Sequence, residues 1–364
     1  MNLADAREMK SAAVMQPDSR GSAGQRWLGA EDVTAMALFA ITALLIFASG
    51  WISPGLGSWS QARAILVLST FVMVVGFGQQ IVILTGGLDL SGPALLTVGA
   101  VLLFSLVGGA SESLIWGVPL VLLVTGAIGA INGAFVALLR VPAFLMTLAM
   151  GMIVSSALLG ITGGAPQGTV SPLLVAVFAG DWLGVPPIVY GMVCLTLLAL
   201  LLQRRTAFGR MLYAIGTSPD AARIAGLPVK RMTILCYAIS GASAGLAGIL
   251  MVGFSQGATL NSGDDVLIPS VTAVIVGGTS ILGGRGSYLG VVGGALLLTT
   301  FSTMISALGL AAGWRSVIFG GVILLALLTL HEEFRVWLKR LRPASGEALR
   351  EINAESSTRT GGTR

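Results

Sequence analysis

An all-α integral membrane protein, with about ten transmembrane helices of which some are broken or re-entrant, is the fold class that the sequence predicts. Of its 364 residues, 55% are apolar and 10% are charged, whereas an average soluble domain carries about 25% charged residues. The apolar residues occur in runs of about 20, the length that a helix needs to cross a hydrocarbon core. A soluble globule of this composition would lack the polar residues to cover its surface, so the bilayer is the expected solvent.

Ten apolar runs follow one another along the chain, and each predicts one helix. They cover residues 34–52, 63–84, 92–110, 117–139, 143–163, 186–203, 232–254, 266–282, 289–308 and 313–330. The connections after the second and the eighth run are rich in glycine, so we expect re-entrant or broken helices there. The chain thus divides into a disordered cytoplasmic N-terminal tail (1–33), a transmembrane domain (34–330) and a polar cytoplasmic C-terminal tail (331–364).

The basic residues test this arrangement, because lysine and arginine accumulate on the cytoplasmic side of a membrane. With the N-terminus inside, all but two of the 21 lysines and arginines fall in cytoplasmic segments. The two exceptions are Arg63 and Arg315. We therefore expect both termini to be cytoplasmic and the chain to be a multi-pass protein of the plasma membrane.

Several functional classes are excluded by what the chain contains. The lone histidine, His331, and the two cysteines, Cys194 and Cys236, form no cluster of metal-binding spacing. No GxxxxGK[ST] phosphate loop is present, so we expect neither a metal site, nor a bound cofactor, nor ATP hydrolysis by this chain alone. The net charge of +5 reflects membrane topology, and nucleic acid is not an expected partner.

The cytoplasmic stretch 204–231 carries six basic residues and the signals of a short helix. Ser218 is a favourable N-cap, Pro219 suits the first helical position, and Asp220 complements the helix dipole. Gly226 can take the left-handed conformation that ends a helix. We predict a helix of about seven residues. On local physics alone, either a partner protein or the lipid headgroups could cover it.

Three blocks of sequence resemble the ribose/monosaccharide-type permeases of bacterial ABC importers. The stretch from Thr206 to Arg223, with Asp220-Ala221-Ala222 and then Gly226, resembles the cytoplasmic EAA loop of these permeases. The stretch Ile83–Ser91 resembles their G-[IL]-D-L-S segment, and Gly277–Ser287 resembles their GGTS-x-x-GG-[RK]-G segment. The blocks stand in family order, and the resemblance covers about residues 60–330.

The resemblance implies a subunit that provides a sugar pathway and performs no covalent chemistry. A cytoplasmic ABC ATPase, which binds the ATP, would dock on the short helix at about Pro219 to Ala225. A periplasmic sugar-binding protein would deliver the substrate, and a second permease subunit would complete a homo- or heterodimer. The residues implied in coupling to the ATPase are Arg210, Ser218, Pro219, Asp220, Ala221, Ala222, Arg223 and Gly226.

Five polar residues at membrane depth are candidates for the pathway or a gate, because sugars need hydrogen-bonding groups. They are Gln79, Gln80, Asp89, Thr97 and Asn132. Helix packing in membranes uses the same residue types. For Asp89 we favour a helix-capping role near the inner surface, assisted by Ser91, over contact with sugar.

The inner loop with Gly283, Gly284, Arg285 and Gly286 is predicted to form a turn. It is not a phosphate cradle, because the lysine of a phosphate loop is missing. Arg285 is placed to contact either the ATPase or a lipid phosphate.

Three rival functions remain open at this point. The first is a related permease for branched-chain amino acids. The second is an ion-coupled secondary transporter, which normally shows acidic or histidine relays within the membrane, whereas here Asp89 stands alone. The third is a membrane scaffold without transport activity.

Overall fold

The computed structural model describes residues 30–51, 55–309, 311 and 313–330. Within these residues the fold consists of thirteen α-helices and one short 3-10 turn. The helices are α1 (Ala30–Ser49), α2 (Trp59–Leu84), α3 (Gly92–Leu106), α4 (Leu114–Leu139), α5 (Ala143–Thr162), α6 (Pro172–Ala179), α7 (Pro187–Arg205), α8 (Ala207–Thr217), α9 (Pro219–Ile224), α10 (Val229–Ser255), α11 (Leu267–Val276), α12 (Tyr288–Ala307) and α13 (Gly313–Leu330). The predicted C-terminal tail and most of the predicted N-terminal tail lie outside the described residues.

Each of the ten apolar runs contains a helix, but not every helix has the length of a crossing. Seven helical segments of the described chain are long and apolar enough to span a membrane: Asp32–Ser49, Trp59–Leu84, Ser111–Leu139, Ala143–Thr162, Pro187–Arg205, Val229–Ser255 and Tyr288–Ala307. The third and eighth runs form the shorter apolar helices Gly92–Leu106 and Leu267–Val276. Both are short because the chain leaves the helical conformation in the adjacent glycine-rich segments.

Helix α10 is the centre of the bundle and packs against α2, α3 and α4. Its 27 residues extend about 40 Å at 1.5 Å per residue. It runs antiparallel to α4, since Gly133 lies against Ile234 whereas Gly241 lies against Thr125. Glycines on both helices allow this approach: a Cβ on Gly129 would stand 2.2 Å from the carbonyl oxygen of Tyr237.

Several pairs of glycines lie four residues apart in the sequence, a spacing that is common where membrane helices pack closely. Some of these pairs pack against another helix in the structure and others do not. Gly290 and Gly294 of α12 lie against Gly277 and Ala273 at the end of α11. By contrast, a Cβ on Gly160 would meet no atom within 4 Å. The spacing alone therefore does not identify the helices that pack, because the same pattern occurs on a helix face that touches nothing.

Charged residues sort to opposite ends of the bundle. The end that carries α8, α9 and the start of α10 holds most of the described basic residues, and we call it the basic end. At the other end, Arg63 pairs with Asp181 at 3.0 Å, and Arg315 lines a cavity with Asp264 and Asp265. This sorting is the pattern that the positive-inside rule expects of a bundle across a membrane.

The glycine packing gives a stability prediction. Replacing Gly129 by alanine should lower the thermal midpoint of the purified protein, because the new methyl group overlaps the α10 backbone, which typically costs about 1–3 kcal/mol. Gly160→Ala is the matched control: its methyl group meets open space, and alanine favours the helix. Equal midpoints for the two variants, measured in detergent, would contradict the packing described here.

Candidate coupling and translocation site

The short helix α9 forms at the basic end for the local reasons that the sequence indicates. The Ser218 hydroxyl accepts a hydrogen bond from the Ala221 amide at 3.3 Å, and Pro219 opens the helix. Gly226 follows it with φ of +80°, a conformation that favours glycine. Ala222 alone is buried in this helix, so most of α9 is presented to the surroundings.

Two arginines of the stretch are exposed, but their settings differ. Arg223 forms an ion pair with Asp220 at 3.2 Å, and both side chains are largely exposed. An exposed pair of this kind contributes little to stability. Arg210 is also exposed and lies on α8, one helix earlier.

Helix α8 connects α9 to the rest of the bundle. It is not among the helices that we predict from the sequence. Thr206 caps it by accepting from the Gly209 amide. Its buried face carries Leu212 and Ile215. The signal was present as a threonine N-cap followed by apolar residues at helical spacing, but the run is too short to resemble a membrane span.

The inner-loop glycines form a turn that fits directly against α8. Gly283 and Gly284 have φ of +89° and +73°. The Gly284 amide donates to the Leu84 carbonyl at 3.0 Å, and the Tyr213 hydroxyl of α8 donates to the Gly286 carbonyl at 2.6 Å. Arg285 is exposed. This agrees with the turn predicted for the loop.

Gly216 of α8 lies where three parts of the chain meet. A Cβ at this position would stand 1.8 Å from the Leu84 carbonyl oxygen and 2.5 Å from the Gly284 nitrogen. Only a residue without a side chain fits there. Helix α8 is therefore in direct backbone contact with the end of α2 and with the inner loop.

After Leu84 the chain continues as a partly buried, non-helical segment, residues 85–91, in which Asp89 and Ser91 are buried; we call it the inner break. Its backbone groups find side-chain partners. The Leu88 carbonyl accepts from the Tyr237 hydroxyl at 3.3 Å, and the Asp89 carbonyl accepts from the Gln79 amide. The Leu90 amide donates to the Thr147 hydroxyl at 3.0 Å. These bonds make a non-helical backbone tolerable at membrane depth.

Asp89 is the centre of a buried polar cluster. Its carboxylate accepts from the Ser91 amide at 3.0 Å, from the Ser91 hydroxyl at 2.6 Å and from the Ser240 hydroxyl at 2.7 Å. Asn132 in turn donates to the Ser91 hydroxyl at 3.0 Å. The carboxylate therefore fixes the inner break to α10 and, through Ser91, to α4.

Asp89 lies in the interior of the bundle, and its position relative to the inner membrane surface stays a prediction. It is fully buried and faces Ser240, which is about 16 Å along α10 from its first residue. The predicted role as a cap is only partly right: the carboxylate binds the Ser91 amide before α3, while no side chain caps the first turn itself.

A second buried network, not anticipated from the sequence, joins α2, α7 and the start of α12. The Gln203 side-chain Nε2 donates to Oε1 of Gln80 at 2.8 Å. The Gln203 Oε1 atom accepts from the backbone amide of Tyr288 at 3.1 Å. Gln80 donates to the Thr279 hydroxyl at 3.3 Å. Gln203 was overlooked because it stands beside two arginines at the end of an apolar run.

The five candidate pathway residues fall into two groups. Gln79, Gln80, Asp89 and Asn132 are buried within the bundle and bind other parts of the chain. Thr97 instead lines a cavity. The first four therefore bind the inner break, at residues 89–91, or Thr279, which precedes the inner loop.

Comparisons with known proteins agree with the motifs. A family model described as "Branched-chain amino acid transport system / permease component" matches residues 61–327. The fructose import permease protein of Rhizobium meliloti is 35% identical over 277 residues, which cover 72% of this chain and 75% of that protein. The ribose import permease protein of Escherichia coli (strain K12) is 32% identical over 306 residues, or 83% and 94% of the two chains. No solved structure matches the chain significantly.

These matches confirm the resemblance to sugar-import permeases of ABC transporters that the three motifs predict. A xylose transport system permease protein of Haemophilus influenzae, 27% identical over 343 residues, belongs to the same set of relatives. Together with the seven apolar helices, the matches identify a multi-pass inner-membrane protein of a transport system. They favour this reading over an ion-coupled transporter or a scaffold.

The Asp89 cluster gives a second stability prediction. Asp89→Asn should lower the thermal midpoint, because one carboxylate acceptor is replaced by an amide donor facing the Ser91 and Ser240 hydroxyls. Hydrogen bonds to charged groups typically contribute about 1.5–3 kcal/mol.

Ser240→Ala should cost less in the Asp89→Asn background than in the wild type, since its partner is already altered. Glu112→Gln, at an exposed acidic residue of the outer 3-10 turn, is the control and should leave the midpoint unchanged. Strictly additive effects at positions 89 and 240 would contradict the cluster.

Proposed function

Since the chain belongs to the branched-chain amino acid transport system permease component family, we propose that it is the membrane permease subunit of an ABC importer for a monosaccharide. The relatives named as fructose, ribose and xylose permeases support a sugar over an amino acid. A partner ATPase supplies the energy, and the chain itself provides the pathway and the mechanical coupling.

The observation that carries this proposal is that α8 connects α9 to the inner loop and to the end of α2, where the inner break begins. Ile224 of α9 is 89% exposed, although an apolar side chain of this size favours burial. Its helix is joined through Ser218 to α8, which touches the end of α2 and the inner loop through Gly216. A protein that grips α9 can therefore act on the two non-helical segments of the bundle.

The mechanism that follows is alternating access. ATP-driven closure of the partner ATPases displaces α9, and α8 transmits the displacement to Leu84 at the start of the inner break and to Gly284 in the inner loop. Helices α3 and α12, which begin after these segments, then reorient. Arg210 and Arg223 provide positive charges for acidic residues of the ATPase.

The finer topology and the partners belong to the same proposal. We infer about ten crossings, in which non-helical segments extend the short helices α3 and α11, with both termini and the stretch 204–231 in the cytoplasm. A second permease subunit, identical or homologous, completes the pathway. A periplasmic sugar-binding protein docks at the end opposite α9.

A substitution on α9 tests the proposal. Ile224→Asp should reduce binding of the partner ATPase about tenfold or more, because buried apolar anchors dominate docking interfaces. It should also abolish the ATPase stimulation caused by sugar-loaded binding protein in proteoliposomes. Folding should be unaffected, since the side chain is almost fully exposed in the described part of the chain.

Leu183→Asp is the matched control. Leu183 is 97% exposed at the opposite end of the bundle, and its φ of +52° is one that aspartate tolerates. This variant should bind the ATPase as the wild type does. If Ile224→Asp bound the ATPase equally well, α9 would not be the docking helix; if uptake stopped on collapse of the proton gradient while ATP was present, the importer itself would be excluded.

A further inference from the structure

A cavity of about 360 Å³ lies between α3, α5 and the segment that precedes α11. Its polar lining comprises Thr97, Ser155, Ser156 and Asp264, and its apolar lining includes Leu148 and Met152. The inner break forms its inner limit, at Leu90, while Asp264 stands at the end opposite α9. The volume falls in the range of small-molecule sites.

The serine hydroxyls of this cavity differ from other hydroxyls on the same helix. On α5, Thr147 donates to the Ala143 carbonyl at 2.9 Å and Thr162 donates to the Leu158 carbonyl at 2.8 Å. Ser155 and Ser156 are exposed and make no hydrogen bond to any described residue. Hydroxyls on membrane helices commonly bond back to their own helix, so two adjacent free ones are available to a solute.

The other two polar groups are placed differently. Thr97 is already engaged: its hydroxyl donates to the Pro93 carbonyl at 2.9 Å and accepts from the Gly263 amide at 3.2 Å. Asp264 accepts from the Asn261 side chain through one oxygen. Its other oxygen makes no hydrogen bond within the described part of the chain. The available set is therefore two hydroxyls and one carboxylate oxygen.

This set suits a neutral polyhydroxylated solute better than an amino acid. Sugar hydroxyls can donate to the carboxylate and exchange hydrogen bonds with the serines, while the sugar's C–H face lies against Leu148 and Met152. An amino acid would bring a carboxylate of its own. Its ammonium group could pair with Asp264, but among the described residues that line the cavity none is basic, so its carboxylate would have no cation to bind.

We propose that this cavity is a transient binding site for a monosaccharide on its way through the permease, with Ser155, Ser156 and Asp264 as its contacts. The inference rests on the proposed function, which it deepens by assigning the substrate contacts. A Cβ on Gly151 would stand 3.7 Å from the Leu90 carbonyl oxygen, so α5 borders the inner break directly. Movement of the break would thus change the inner limit of the cavity.

Uptake by the complete transporter tests the assignment. The permease, its ATPase and its binding protein are reconstituted in proteoliposomes and assayed with radiolabelled D-ribose, D-fructose and D-xylose. The double variant Ser155→Ala/Ser156→Ala and the single variant Asp264→Asn should each lower the uptake rate about two- to tenfold, the effect of one lost hydrogen bond or a few. Ser105→Ala, at an exposed serine of α3 outside the cavity, should leave the rate unchanged.

Thiol labelling, in which the cysteine forms a mixed disulfide with the reagent and methanesulfinate leaves, gives a readout that loss of folding cannot mimic. Ser156→Cys is introduced after Cys194, the exposed natural cysteine, has been replaced by alanine, and a hydrophilic methanethiosulfonate reagent is applied. The sugar that the wild-type complex transports should slow the labelling of this cysteine at least twofold, whereas L-leucine should not. Ser105→Cys in the same background should be labelled at one rate with and without the sugar.

The outcomes separate the two proposals. Unchanged uptake in both cavity variants, or labelling of Ser156→Cys that a transported sugar does not slow, would overturn the site while leaving the importer intact. Protection by L-leucine would also overturn it. Absence of ATP-dependent uptake of all three sugars by the wild-type complex would instead overturn the proposed function.

Discussion

The need to satisfy backbone polar groups in two non-helical segments inside a helical bundle determines much of this structure. A bilayer offers no water to an exposed amide or carbonyl, so a broken helix persists only where protein groups replace it. The inner break meets this need with side chains from α2, α5 and α10. The inner loop meets it partly by bonding to the end of α2, where the Gly284 amide donates to the Leu84 carbonyl. The inner loop is therefore fixed to the residue that directly precedes the inner break.

The close contact between α8, the end of α2 and the inner loop explains why glycine is needed where these three parts of the chain meet. Gly216, Gly283 and Gly284 bring three backbones within contact distance, and a Cβ on Gly216 would overlap a carbonyl oxygen. Packed backbones transmit displacement because close-packed interiors have low compressibility. A soft layer of long side chains at the same place would absorb the movement of α8. The contacts that stabilise the fold are thus the ones that can carry the motion of α9 inward.

The sequence predicted what local physics decides. Apolar runs of crossing length located the helices, and the Ser218 N-cap with Gly226 delimited α9. The hydrogen-bond partners of buried polar residues could not be predicted, since they form only when distant segments of the chain meet. The sequence predicts a capping role for Asp89 with Ser91, but it does not reveal that Ser240, about 150 residues later, forms part of the same buried site. The sequence does not single out Ser155 and Ser156, because serine is a common packing residue in membrane helices. Only the structure shows that their hydroxyls make no hydrogen bond to the described residues.

The division between satisfied and unsatisfied polar groups follows from what transport requires. A pathway must bind its solute well enough to admit it and weakly enough to release it. The Asp89 carboxylate already accepts three hydrogen bonds, and a sugar could recruit it only by breaking bonds that hold the inner break. The two serines and one oxygen of Asp264 lose nothing in the protein when a sugar binds or leaves them. Our proposed assignment therefore separates the residues that fix the inner break, such as Asp89, from the cavity serines that would contact the sugar.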